Sequence, residues 1–135
     1  MKLLNVKVWL LVFSVIGTLA GIASFLTAEA SAKLTYGSSI SGSELYNLTT
    51  DQAGWSLTLA VLGLLGIIAA VNTQGVQRAK IAYLFGLIYF IENIFAYVYS
   101  SGRNANNPLG LIIPIQIISG MVALSGWVNR NNQNA

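Results

Sequence analysis

The stretch Ile81-Ala82-Tyr83-Leu84-Phe85-Gly86-Leu87-Ile88-Tyr89-Phe90-Ile91-Glu92-Asn93-Ile94-Phe95-Ala96-Tyr97-Val98-Tyr99 holds a single charged residue, Glu92. Its length is close to the roughly 20 residues with which a helix crosses the hydrocarbon core of a bilayer. Three further runs, about Val8–Thr27, Trp55–Val71 and Leu109–Val128, are of similar length and carry no charge at all. Four such runs predict an all-α polytopic membrane protein, an up-down-up-down bundle of four transmembrane helices with the lipid bilayer as its first partner. The spans use more than half of the 135 residues, so residues 1–135 read as one transmembrane domain with one sizeable connection, 29–54.

Composition agrees. With 55% hydrophobic and 8% charged residues, the chain cannot cover a soluble domain of this size with polar surface. Cysteine and histidine are both absent, which excludes disulfide staples, thiol redox chemistry, histidine-ligated haem and the common zinc and copper sites. No metal site is expected.

The basic residues set an expected orientation. Lys2, Lys7, Arg78, Lys80 and Arg130 fall on one side of the spans, and Lys33 and Arg103 on the other. Positive charge accumulates on the cytoplasmic side, so both termini are placed in the cytoplasm and the 29–54 loop outside, with the plasma membrane as the expected location. Glu29, Glu44 and Asp51 share the outer side. The net charge of +3 is thus a topology signal and predicts no nucleic-acid partner. Trp9, Trp127 and Trp55 fall near span ends, where amphipathic rings prefer to sit. The first run also has features of a secretory leader, with a basic start and small residues at Ala28-Glu29-Ala30 and Ala30-Ser31-Ala32. Its apolar stretch exceeds the 7–15 residues typical of a leader, so retention as a span is expected.

Local chemistry marks helix ends. Thr49-x-x-Gln52 has the form of a capping box before the second span, and Asn107-Pro108 that of an N-cap and first-turn proline before the fourth. Asn72-Thr73-Gln74-Gly75 and Ser101-Gly102 supply stops. Within the outer loop, Ser41-x-x-Glu44 either starts a short interfacial helix or belongs to an irregular Ser/Thr/Gly-rich segment. Gly17-x-x-x-Gly21, Gly63 with Gly66, and Gly120 with Ala123 and Gly126 let helix backbones approach, which matters because lipid gives no hydrophobic drive to helix association. A faint repeat lays Gly63–Asn72 over Gly120–Asn129.

Depth gathers the polar residues. At about 1.5 Å per residue, Glu92, Asn93, Gln116 and Thr18 share one layer, with Gly63 leaving room there. A charged carboxylate at mid-span costs about 2.5–3.5 kcal/mol, so Glu92 is expected to face the bundle and pair with Gln116. Pro114 cannot donate to the Gly110 carbonyl and should bend the fourth span, opening an outward pocket lined by Tyr89 and Phe85. Such a layer suits a quinone, pigment, lipid headgroup or proton, or else a purely structural hydrogen-bonded lock. No catalytic constellation is present, so no enzyme and no obligatory cofactor is expected.

Four short spans, an outer loop after the first, the basic turn Val76-Gln77-Arg78-Ala79-Lys80 and the Gly-rich Ile118-Ser119-Gly120-Met121-Val122-Ala123 resemble the layout of small DoxX-like membrane proteins. The Gly-Lys dipeptide expected there after the first span is absent, and Ala32-Lys33 takes its place. The resemblance implies a four-helix bundle associated with respiratory or redox membrane systems and carries over no functional residue. The leading functional expectation is a non-catalytic accessory subunit of a larger membrane complex, packing through its small-residue faces onto other subunits or a second copy. A lipophile binder built on Glu92, and a proton-coupled carrier or oligomeric channel using Glu92, are the alternatives.

Overall fold

A computed structural model describes residues 5–101 and 109–133. All regular structure among them is helical: α1 (Val6–Leu26), α2 (Ala28–Tyr36), α3 (Gly42–Asn72), α4 (Gly75–Ser101) and α5 (Leu109–Val128). Among the described residues, Val6–Leu26, Gly42–Asn72 and Gly75–Tyr99 are long and apolar enough to cross a membrane, and Ile112–Val128 is a shorter apolar helix. Large apolar side chains point outward all along them, with Leu19, Leu26 and Phe95 at 63%, 76% and 72% exposure. That is the pattern of helices whose solvent is lipid.

Asn5 starts α1, its Oδ1 accepting from the Val8 amide at 3.1 Å. The helix bends at Thr27 (φ −114°, ψ 25°), whose amide still reaches the Ala23 carbonyl, and α2 follows at once. The expected loop at 29–54 is therefore mostly helix. α2 packs its small face, Ala28 and Ala32, inward and lies along α3. α3 begins at Gly42 and runs unbroken for 31 residues. Thr49-x-x-Gln52 is not a cap: it lies inside this helix, where the Gln52 carbonyl accepts from Ser56 Oγ at 2.7 Å. No proline interrupts 43–54, and the Thr50 and Ser56 hydroxyls donate to the Tyr46 and Gln52 carbonyls one turn back, so the polar composition that suggested a loop is compatible with helix. Ser41 stands at the N-cap without a side-chain cap bond. At the other end the expected stop is present, with α3 finishing at Asn72 and α4 starting at Gly75, at φ +54°. Asn107-Pro108 and Gly102 lie outside the described residues.

The helices pair as two antiparallel hairpins, α1 with α3 and α4 with α5. In the first, a Cβ added to Gly21 would sit 2.7 Å from the Ser56 carbonyl oxygen and 2.9 Å from Ala60 Cα. In the second, a Cβ on Gly86 would sit 2.7 Å from the Ser119 carbonyl oxygen and 2.9 Å from Ala123 Cα. The return contacts match as well: Gly63 lies on the Ser14 carbonyl and Thr18 amide, and Gly126 on the Ala79 carbonyl and Tyr83 amide. Ser56-x-x-x-Ala60-x-x-Gly63 and Ser119-x-x-x-Ala123-x-x-Gly126 are thus one crossing used twice. Its register differs from the sequence repeat, which laid Gly63 on Gly120; packing lays it on Gly126. Gly66 joins the first seam against Ser14, Gly17 lies 3.8 Å from Leu59, and Gly120 has only the Phe90 ring, at 3.7 Å.

The hairpins meet through a separate core. Val6, Leu10 and Phe13 of α1 join Ala70 of α3, Ala79, Ala82 and Tyr89 of α4, and Val122 of α5. Nearly all of these lie in the half of the bundle that holds the Thr73–Gln74 connection. Towards the α2 end this contact stops: Ala20, two turns beyond Phe13, is exposed, as are Ala96 beyond Tyr89 and Ile115 beyond Val122.

Candidate functional site

Glu92 lies one turn beyond Tyr89 on the face of α4 that turns towards α1, at the level where the hairpins part. It is half-buried. Among the described residues the ion pair is Lys33–Glu29, 2.6 Å apart on the exposed face of α2, and Glu92 has neither an ion-pair nor a hydrogen-bond partner. Below it, three rings close the contact between the hairpins. Phe13 stands edge-on to Tyr89 (centroids 5.0 Å apart, planes at 89°) and to Phe85 (6.2 Å, 83°), while Phe85 and Tyr89 lie 4.9 Å apart. Edge-to-face pairs of this kind contribute about 0.5–1.5 kcal/mol beyond their buried area. Tyr89 is 3% exposed, and its hydroxyl has no partner. Ser14 Oγ, 1% exposed where Gly66 and the Phe85 ring converge, has none either.

The expected bond between Glu92 and Gln116 is not formed. Gln116 Nε2 instead donates to the Phe90 carbonyl at 2.9 Å, and its Oε1 is buried without a partner. Phe90 faces α5 and Glu92 does not, because two residues on a helix are about 200° apart. The two polar groups share a depth and occupy different faces. Asn93 is also committed, donating from Nδ2 to the Tyr89 carbonyl at 2.7 Å. Thr18, placed in the same layer by depth, lies in the seam of the first hairpin with its hydroxyl on the Ser14 carbonyl at 2.8 Å, facing Gly63.

The concavity expected beside Pro114 is a shallow open groove of about 460 Å³ on the outer face of α4 and α5, lined by Phe90, Ile113, Gln116, Ile117, Gly120 and Met121 among others. It contains neither Glu92 nor Tyr89. Pro114 lies within α5, which remains helical from Leu109 to Val128.

Phe13, Ser14 and Arg78 were not foreseen as parts of this region. Arg78 counted only as a topology charge, yet it is 9% exposed and its Nη2 donates to the Thr73 carbonyl, so the cation covers the carboxyl end of α3. The signal in the sequence is an arginine close behind the helix stop at Asn72-Thr73-Gln74-Gly75, within reach of the free carbonyls of α3. Among the described residues no group of acids, histidines or cysteines could hold a metal.

Comparison with protein-family models, with curated proteins and with solved structures finds no match. None of them supports the resemblance to DoxX-like proteins.

Proposed function

We propose that this chain is a four-span membrane protein, both termini cytoplasmic, that binds a lipophilic small molecule at the Glu92 level of the gap between its hairpins. The observation that carries the reading is an unpartnered carboxylate within a span, standing over an unpartnered buried phenol where two rigid units separate. A carboxylate only accepts hydrogen bonds when ionised, so the occupant is one that donates: a quinol, a hydroxylated pigment or the amine-bearing head of a lipid. Its apolar body would lie along the exposed Ala20 and Ala96 faces. The five-to-two distribution of basic residues turns the open end of the gap to the outside.

Of the small-residue faces expected to receive partner subunits, Gly21, Gly63, Gly66 and Gly126 are occupied within the chain. They therefore no longer argue for an accessory subunit, and Glu92 becomes the distinguishing feature. A proton carrier would use the same residue.

The test is extraction. Wild type, Glu92→Gln and Glu92→Leu are purified from the same membranes in mild detergent, and bound lipophiles are identified by mass spectrometry. A stoichiometric hydroxyl- or amine-bearing molecule in wild type that is lost from Glu92→Leu supports the reading. Stoichiometric protein subunits without such a molecule would instead support the accessory role. Proton transport abolished by Glu92→Gln would support the carrier.

A further inference from the structure

We infer that the two hairpins act as rigid halves of a clamshell, pivoting on the Phe13–Phe85–Tyr89 cluster so that the gap at the α2 end widens and narrows. This rests on the fold and not on any occupant of the gap. Rigidity comes from the seams. In each hairpin two helices approach until glycine faces backbone, with Gly21 and Gly63 closing the first and Gly86 and Gly126 the second. Where helix backbones meet this closely, with only short side chains such as Ser14 and Thr18 at the contact, little rotamer freedom remains, so each hairpin moves as a unit.

Freedom comes from what joins them. The sole covalent link between the hairpins is Thr73–Gln74, at the end where their shared core lies. That link is itself anchored, by the Arg78 guanidinium on the Thr73 carbonyl and by the Gly75 backbone against the Gln133 carbonyl. At the opposite end, α1 passes through α2 back into α3, and α4 returns into α5, so every connection there stays within one hairpin. Among the described residues only side-chain contact could hold the hairpins together at that end, and there the inter-hairpin faces of α1, α4 and α5 become exposed beyond Phe13, Tyr89 and Ile118. Two packed units hinged at one end are the geometry of hinge closure. Because the hairpins repeat one crossing in the same up-down sense, the motion resembles the rocking of parallel repeats about an axis along the membrane normal.

The absence of cysteine lets spin labels be placed without background. Three double-cysteine variants at exposed positions are reconstituted in phosphatidylcholine nanodiscs: Leu26→Cys with Phe95→Cys across the open end, Val12→Cys with Gln77→Cys across the pivot end, and Leu26→Cys with Leu57→Cys inside the first hairpin. Pulsed dipolar spectroscopy reads the distance distribution of each. The open-end pair should be broader than both others, by roughly a factor of two, or split into two populations, as expected for hinge closure. An open-end distribution as narrow as the Leu26–Leu57 control overturns the inference. So does a pivot-end pair as broad as the open-end one, since the hairpins would then be separating as a whole.

Discussion

Gly21 and Gly86 never meet, yet each faces the same backbone: a serine carbonyl at 2.7 Å and an alanine Cα at 2.9 Å from where its Cβ would be. The equivalence makes the first prediction quantitative. Gly21→Val and Gly86→Val should destabilise by similar amounts, at least the roughly 1–3 kcal/mol typical of overpacking. Gly54→Ala, with nothing within 4 Å, should be neutral or stabilising by up to about 1 kcal/mol. Thermal unfolding in detergent, followed by circular dichroism, measures all three. Unequal penalties at Gly21 and Gly86 would break the structural equivalence of the hairpins.

The aromatic pivot separates shape from polarity at Tyr89. Its hydroxyl is buried with no protein partner, so Tyr89→Phe should leave stability unchanged or raise it, by up to the roughly 1–3 kcal/mol that a buried unsatisfied polar group costs. Tyr89→Ala removes the ring and should cost on the order of 3–5 kcal/mol, by analogy with other buried aromatics. A double-mutant cycle with Phe13→Ala should return a coupling of about 0.5–1.5 kcal/mol for the edge-to-face pair. A coupling near zero would mean that Phe13 and Tyr89 do not hold the hairpins together.

Glu92 offers a sign test. Having no partner to strand, it can be replaced by an apolar residue without leaving a buried donor or acceptor unpaired. Glu92→Leu should therefore stabilise the protein, by as much as about 2.5–3.5 kcal/mol if the carboxylate is charged in the wild type. Membrane abundance and Tm are the readouts. A strongly destabilised Glu92→Leu would reveal a polar partner for the carboxylate in the folded protein. Stabilisation together with loss of a bound lipophile would be the signature of a binding residue kept at a cost to folding.

Topology is tested at two exposed positions. Ser41→Cys, ahead of α3, should react with an impermeant thiol reagent in intact cells, and Gln74→Cys, between α3 and α4, only after permeabilisation. Gln74 is preferred to Thr73, whose carbonyl and hydroxyl are both engaged. Labelling in the reverse pattern would turn the gap at Glu92 towards the cytoplasm.

Much of the fold is legible in the sequence, because long apolar runs and the Asn72–Gly75 stop depend on local chemistry alone. The helical character of 29–54 is not. Serine and threonine favour loops only while their hydroxyls compete for backbone groups, and here Thr50 and Ser56 bond back to Tyr46 and Gln52 within the helix. Glu92 and Gln116 illustrate the other limit. Counting residues fixes depth to within a turn, but which face a residue presents depends on how α4 is rotated, and that is set by Gly86 packing on α5 and by Gly126 of α5 packing on α4. Residue identity likewise points to the register of Gly63 on Gly120, whereas the crossing needs only small residues where the backbones touch and lays Gly63 on Gly126.

The order in which the helices pair along the chain also bears on how the protein is made. Neither seam reaches across to the other half of the sequence, so the first hairpin has every helix it needs once Asn72 has been synthesised. It can insert and close while α4 is still emerging, and α4 and α5 can then pair with each other before docking. Assembly of this kind keeps contacts local and speeds folding. It also implies that a premature stop shortly after Gln74 would release a folded fragment of α1, α2 and α3 that keeps its own seam, rather than an unfolded chain.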